Sequence, residues 1–188
     1  MGLTNTGYCD RIADHYGHFW SAEGEHIEFK RGPISDLPSG FRILRYPPRP
    51  LRQMWTYCTV CMSQPADDHP IELHIFAPEI NDSIAELLVA TAHYHRTGQR
   101  LDIGHSVNFG RPWWDGSICD RGLISLPYLD GPKLEWLDLG YLRPRFLWLI
   151  PVTEAEMAFK NIAGLDALEQ KFEKSLFEYW DPFRKSVA

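Results

Sequence analysis

The stretch "IELHIFAPEINDSIAELLVATAHYHRTG" (residues 71–98) decides the fold. Its first part alternates: Ile71, Leu73, Ile75 and Ala77 fall on one face of a strand spanning 71–78, and His74 falls on the other. Its second part has helical spacing, with Ile84, Leu87, Leu88, Thr91 and His95 on one face and Glu86 and His93 opposite. Asn81-Asp82-Ser83 offers N-cap residues, Ser83 with Glu86 has the form of a capping box, and Gly98 offers a stop. A strand feeding directly into a long amphipathic helix sets the expectation for the rest of the chain.

Working outward, "YCDRIADHYGHFW" (8–20) reads as a first helix, and 41–47 and 55–63 read as strands. After the long helix come "HSVNFG" (105–110), a loop at 111–122, strands at 123–129 and 146–153, and a further strand expected at 134–140. Thr153 with Glu156 is a second capping-box signature, opening a helix that Gly164 can stop, and a last helix runs from about Asp166 to Phe177. Strands fill the middle, one long helix interrupts them, and helices stand at both ends. That is an α+β pattern. With 188 residues, no repeat and no linker, residues 1–188 are expected to form one domain.

Composition removes whole classes of function. A net charge of −6 argues against a nucleic-acid binder, which would present a basic face, and suits a basic partner. Residues 1–20 carry Asp10, Arg11, Asp14 and His15 where a signal peptide would be apolar. The strongest apolar run, "FLWLIPV" (146–152), is far short of the ~20 residues of a membrane helix. Four Cys without an export signal are most simply four thiols in a reducing compartment, so the expected location is the cytoplasm.

The chemical motifs are few. Cys58-x-x-Cys61 lies within the expected strand 55–63, where the two thiols would point to opposite faces with their Cα atoms ~10 Å apart, too far for a disulfide between them. Cys9 and Cys119 stand alone, and no second C-x-x-C completes a zinc site. His93 and His95 sit on nearly opposite sides of a helix, and no H-E-x-x-H occurs. No G-x-S-x-G, G-x-G-x-x-G or P-loop is present, so no nucleophile and no cofactor is implied. The weak enzymatic alternative is a metal-dependent hydrolase drawing on His74, His93 or His105. The loop "GRPWWDGSICDRG" (110–122) is the better candidate. Adjacent Trp113 and Trp114 cannot both face one core from an extended segment, so one is available as an interface anchor, unless a core between sheet and loop takes both. Asp115, Asp120 and Asp130 add negative charge for a basic partner.

Several stretches together resemble the Suppressor of fused family. "WTYCTVCMS" (55–63) is similar to its aromatic-rich strand ending in a Gly-Met/Leu-Ser turn, and "IELHIFAP" with the helix and turn through "DIGHSV" to its strand, long helix and Gly-containing turn. "SLPYLDGPKLEWL" (125–137) and the stretch 146–173 resemble its remaining strands and closing helices, so the resemblance covers about 35–187. It implies a mixed central sheet, no catalytic residues and no cofactor. It implies a protein-binding module, which for short members means an immunity protein that neutralises a toxin from a neighbouring gene. The alternative is a regulatory or scaffold module with a housekeeping partner. Two departures stand out: the family usually has Gly where this chain has Cys61, and His105 stands where animal members carry an acid. Trp113, Trp114, Asp115, His105, Asp120 and Asp130 are therefore the candidate partner-binding residues.

Overall fold

The structure is a computed structural model and describes residues 4–28, 33–50 and 52–188. Helix α1 (Asn5–Trp20) is capped by Thr4, whose side chain accepts the Gly7 N–H. The described residues then form the strands β1 (Glu25–Ile27), β2 (Arg42–Tyr46), β3 (Trp55–Val60), β4 (Ile71–Ala77), β5 (Ser106–Asn108), β6 (Cys119–Ser125) and β7 (Arg145–Thr153). Helix α2 (Asp82–Thr97) links β4 to β5, and the short α3 (Pro132–Glu135) lies between β6 and β7. Helices α4 (Glu154–Ala163) and α5 (Leu165–Lys174) follow β7. The sheet order is β1-β2-β3-β4-β7-β6-β5, with β4 and β7 parallel at the centre and the other pairs antiparallel. The fold is α+β with one mixed sheet.

Both faces of the central strands are covered, which is why every residue of β4 is buried. Ile71, Leu73, Ile75 and Ala77 pack with Ile84, Leu87 and Leu88 of α2, as the alternation predicts. On the opposite face Tyr8, Ile12, Tyr16 and Trp20 of α1 close over Leu44, Cys58 and Phe146. Met157, Leu168 and Phe172 of α4 and α5 close over Trp148, Ile150 and Val152. Burying each such large side chain stabilises the fold by about 1.5–3 kcal/mol.

Four local expectations are corrected. Asn81, not Ser83, caps α2: its side chain accepts the Ser83 N–H, while Glu86 points outward to Arg111. Residues 134–140 are not a strand: α3 ends at Glu135, and only Trp136 bridges to Arg145. The strand expected at 123–129 instead spans β6, because the Trp113 N–H to Cys119 carbonyl bond closes the preceding loop early. The fourth concerns cysteine. β3 ends at Val60, and Cys61 turns with φ +62°, so it joins Cys58 on the α1 side. There it is bonded to Cys9 of α1. Cys58 and Cys119 remain free and buried. The left-handed conformation at Cys61 also accounts for a glycine being suited to this position.

The same turn rests on Glu72, fully buried on the α1 side of β4. One carboxylate oxygen accepts from the Ser63 N–H at 3.0 Å and its hydroxyl at 2.5 Å, the other from the Thr59 hydroxyl at 2.6 Å and the Met62 N–H at 3.3 Å. Burial outweighs these bonds and pushes its pKa up to about 7. A carboxamide cannot replace it, because its NH2 would face a backbone N–H whichever way it turned. Glu72→Gln should cost about 2–3 kcal/mol in urea unfolding at pH 7, the penalty of a lost bond and an unsatisfied buried donor.

Candidate functional site

The residues singled out in the loop fall on the β5–β6 hairpin at one edge of the sheet. Its closed end spans Phe109–Ile118, fixed by hydrogen bonds from the Phe109 N–H to the Asp120 carbonyl and from the Trp113 N–H to the Cys119 carbonyl. The two tryptophans separate. Trp113 is 1 % exposed and packs in the α2-side core, whereas Trp114 stays half-buried beside it with ring centroids 5.8 Å apart. Trp113 is thus a core residue in this conformation, and Trp114 is the indole a partner can reach. Asp115 is exposed. Asp120 is paired with Arg121, which also holds Glu154 at 3.0 Å, so much of its charge is offset.

The C-terminal segment completes this surface. The Ser117 hydroxyl donates to the Pro182 carbonyl at 2.5 Å, and Phe183 lies against Gly116, where an added Cβ would come within 3.3 Å of its ring. Ile118 is 58 % and Phe183 64 % exposed, so two large apolar side chains stand in solvent beside Trp114 and Asp115. Sequence reading missed both. Ile118 carried a signal, an aliphatic residue in an otherwise polar turn, but nothing linear connects Phe183 with it.

His105 and Asp130 lie elsewhere. His105 sits at the other end of β5, exposed, its Nδ1 accepting the Asp102 N–H at 3.0 Å in the turn made by Gly104. Asp130 is not a surface charge. Its side chain is 3 % exposed and accepts from Arg52 Nη1 at 2.8 Å and Trp20 Nε1 at 3.1 Å. The histidines named for a metal site do not converge: His74 is inside the sheet, His93 faces Asp36 from α2, and His105 is in its turn. Among the described residues no three His, Cys, Asp or Glu side chains form a metal-holding group. No helix there is long and apolar enough to cross a membrane.

His74 was expected to point away from the apolar row, and it does, but into a second core under Trp20 and Phe76. Neither ring nitrogen has a hydrogen-bond partner among the described residues, and Asp130 is 3.7 Å away. Burial lowers its pKa to about 4, against the attraction of Asp130. A depressed histidine stabilises the fold above its unfolded pKa of 6.5, and this contribution is lost as pH falls towards 4. His95, whose Nδ1 accepts the Leu101 N–H at 2.9 Å, shifts the same way. Glu72 acts in the opposite direction, its raised pKa favouring the fold below 4.5 and losing that advantage as pH rises through 7. His74→Phe isolates one group. Between pH 7.5 and 4 its stability relative to the wild type should move by about 3 kcal/mol in the variant's favour, read as the difference of urea unfolding free energies. A constant difference would mean that the ring titrates in the fold as it does in the unfolded chain.

The family model described as Suppressor of fused protein (SUFU) matches residues 38–185. Whole-sequence comparison with curated proteins gives no match. Among solved structures, a SUFU homologue from Neisseria gonorrhoeae FA 1090 is 28 % identical, with TM-score 0.84, over 96 % of this chain and 97 % of that one. The Sufu–Fu complex gives TM-score 0.71 at 14 % identity, over 98 % and 93 % of the respective chains. Drosophila Suppressor of Fused gives 0.72 at 14 % identity, over 97 % of this chain and 52 % of that one. At 14 % identity the likeness is one of fold.

Proposed function

The chain belongs to the Suppressor of fused family, and on that membership we propose that it is a non-enzymatic protein-binding domain acting as an immunity protein, which binds and blocks a toxin encoded beside its own gene. One neighbour of the same fold is described as the Sufu–Fu complex, which supports binding as the activity. The observation that carries the location of binding is the end of the β5–β6 hairpin, where Ile118 and Phe183 stand exposed beside Trp114 and Asp115. An apolar centre with an aromatic anchor and a charged rim is the usual anatomy of an interface. Asp120 borders this end of the hairpin as an outer contact, and His105, at the opposite end of β5, would be reached only by a partner that runs along the sheet edge. Asp115 and the net charge of −6 favour a basic partner.

Co-expression with the neighbouring toxin tests this directly: growth should be restored by the wild type. Ile118→Asp, which leaves the core untouched, should weaken toxin binding by roughly 30-fold or more, the loss expected of a hot spot worth ~2 kcal/mol. Rescue undiminished by Ile118→Asp and Phe183→Ala would move the interface elsewhere. A stable partner captured from toxin-free cells, with no rescue, would favour a regulatory or scaffold role.

A further inference from the structure

On the α1 side of the sheet, remote from the β5 edge, a cavity of about 570 Å³ is lined by Phe19, Trp20, Arg49, Arg52, Leu129 and Asp130, with Ser21 and Pro50 at its border. Its two arginines are placed by a tight turn. The Arg49 N–H donates to the Arg52 carbonyl at 2.7 Å and the Arg52 N–H to the Arg49 carbonyl at 2.8 Å. Their side chains therefore leave the turn side by side.

The charges in this pocket do not balance. Arg52 is neutralised by Asp130 at 2.8 Å and lies over Phe76. Arg49 has no carboxylate within ion-pair distance among the described residues. It stacks over Trp20 at 5.0 Å, and one Nη donates to the Trp20 carbonyl at 3.3 Å. Its Nε is fully buried and has no hydrogen-bond partner among the described residues. Asp130 also attracts Arg49 at longer range, but its carboxylate is already held by Arg52 and the Trp20 indole. One half-buried guanidinium thus faces the cavity in a protein whose overall balance is acidic. Burial and the neighbouring Arg52 also push the Arg49 pKa down, as an unpaired cation in such a place requires. A guanidinium with one Nη unbonded among the described residues, and with an indole, a phenyl ring and Leu129 around it, suits a planar anion attached to an apolar body.

We propose that this pocket binds an organic carboxylate, with Arg49 receiving the charge and Phe19, Trp20 and Leu129 enclosing the apolar part. Inorganic anions would satisfy Arg49 but leave most of the cavity unfilled. This site is separate from the hairpin surface and does not rest on the immunity reading.

N-acetylphenylalanine is the probe, with its amide and inorganic phosphate as controls, titrated calorimetrically into the purified full chain. A second arm uses a hexapeptide ending in phenylalanine, with a free or amidated C-terminus, to distinguish a small acid from the terminus of a polypeptide. Binding of either free acid with a Kd of about 0.1–1 mM is expected. Arg49→Gln should weaken it roughly tenfold or more. It should also abolish the ligand-induced rise in Tm, while its circular dichroism spectrum stays that of the wild type. If Arg49→Gln fails to fold, Arg49→Lys replaces it and should weaken binding through loss of the planar fork. The proposal is overturned if neither acid binds at about 10 mM, if the amides bind equally well, if phosphate binds as tightly, or if the Arg49 variants bind like the wild type.

Discussion

Arg184→Ala should destabilise the protein by about 3–5 kcal/mol, because it strands a carboxylate in the core. Glu156 is fully buried, and Arg184 holds both its oxygens, at 2.6 and 2.8 Å, with the N–H groups of Thr153 and Val187 bound as well. Burial alone would raise the Glu156 carboxyl. The guanidinium and the backbone donors overcome it and hold the group below its ordinary range. Arg184 in turn donates to the Pro151 and Lys185 carbonyls, so it ties the C-terminal segment to β7 and to the start of α4. Removing it deletes the partner and leaves the charge, which is the costly way to break a buried pair. For a chain of this length the loss corresponds to a fall in Tm of roughly 10 °C or more. Exchange of the backbone amides near Ser117 should quicken too, since the Pro182 contact beneath the hairpin goes with the segment. Thr153→Ala, which loses the cap and the hydroxyl contact with Ser186, should cost about 1–2 kcal/mol. A similar small loss for Arg184→Ala would show that the carboxylate has found water, and the clamp would be no clamp.

Reducing the Cys9–Cys61 disulfide should cost about 4 kcal/mol, the chain-entropy value for a closed loop with a sequence separation of 52. The bond pins α1 to the end of β3, with Gly40 pressed against it so closely that a Cβ there would lie 2.6 Å from the Cys9 sulfur. Urea midpoints with and without dithiothreitol measure the effect directly, and reduced wild type should coincide with Cys9→Ala. Cys61→Gly should be about 1 kcal/mol less harmful than Cys61→Ala, because only glycine enters the φ +62° conformation without strain. Neither change should alter partner binding. Four strand spacings, about 19 Å, separate β3 from the β5 edge. Unchanged midpoints on reduction would mean that the two thiols are not joined in solution, as the sequence alone suggests.

That contrast marks where local pattern ends. Alternation at 71–77 and helical spacing at 84–95 identified β4 and α2 because both periods are properties of the backbone itself. The capping box at Thr153 and Glu156 was legible for the same reason, its two bonds spanning three residues. The capping signal at Ser83 was equally good on paper, yet Asn81 took the role, since competing caps two residues apart are chosen by where the chain enters the helix. His74 shows the limit more sharply. Period two placed it on the face opposite the apolar row, but whether that face meets water depends on α1, more than fifty residues away in sequence.

The candidate surface divides in the same way. The sequence by itself determined the family, the α+β pattern, the strand-helix unit at its centre and the loop carrying Trp114 and Asp115, all of which arise from near neighbours. Tertiary structure alone decided that Trp113 and Asp130 are buried, that Cys61 meets Cys9, and that Ile118 and Phe183 share a surface. It also placed Arg184 on Glu156 and left the Arg49 Nε without a hydrogen-bond partner among the described residues. Burial, charge pairing and disulfide partners are properties of what the folded chain brings from a distance, and no local spacing encodes them.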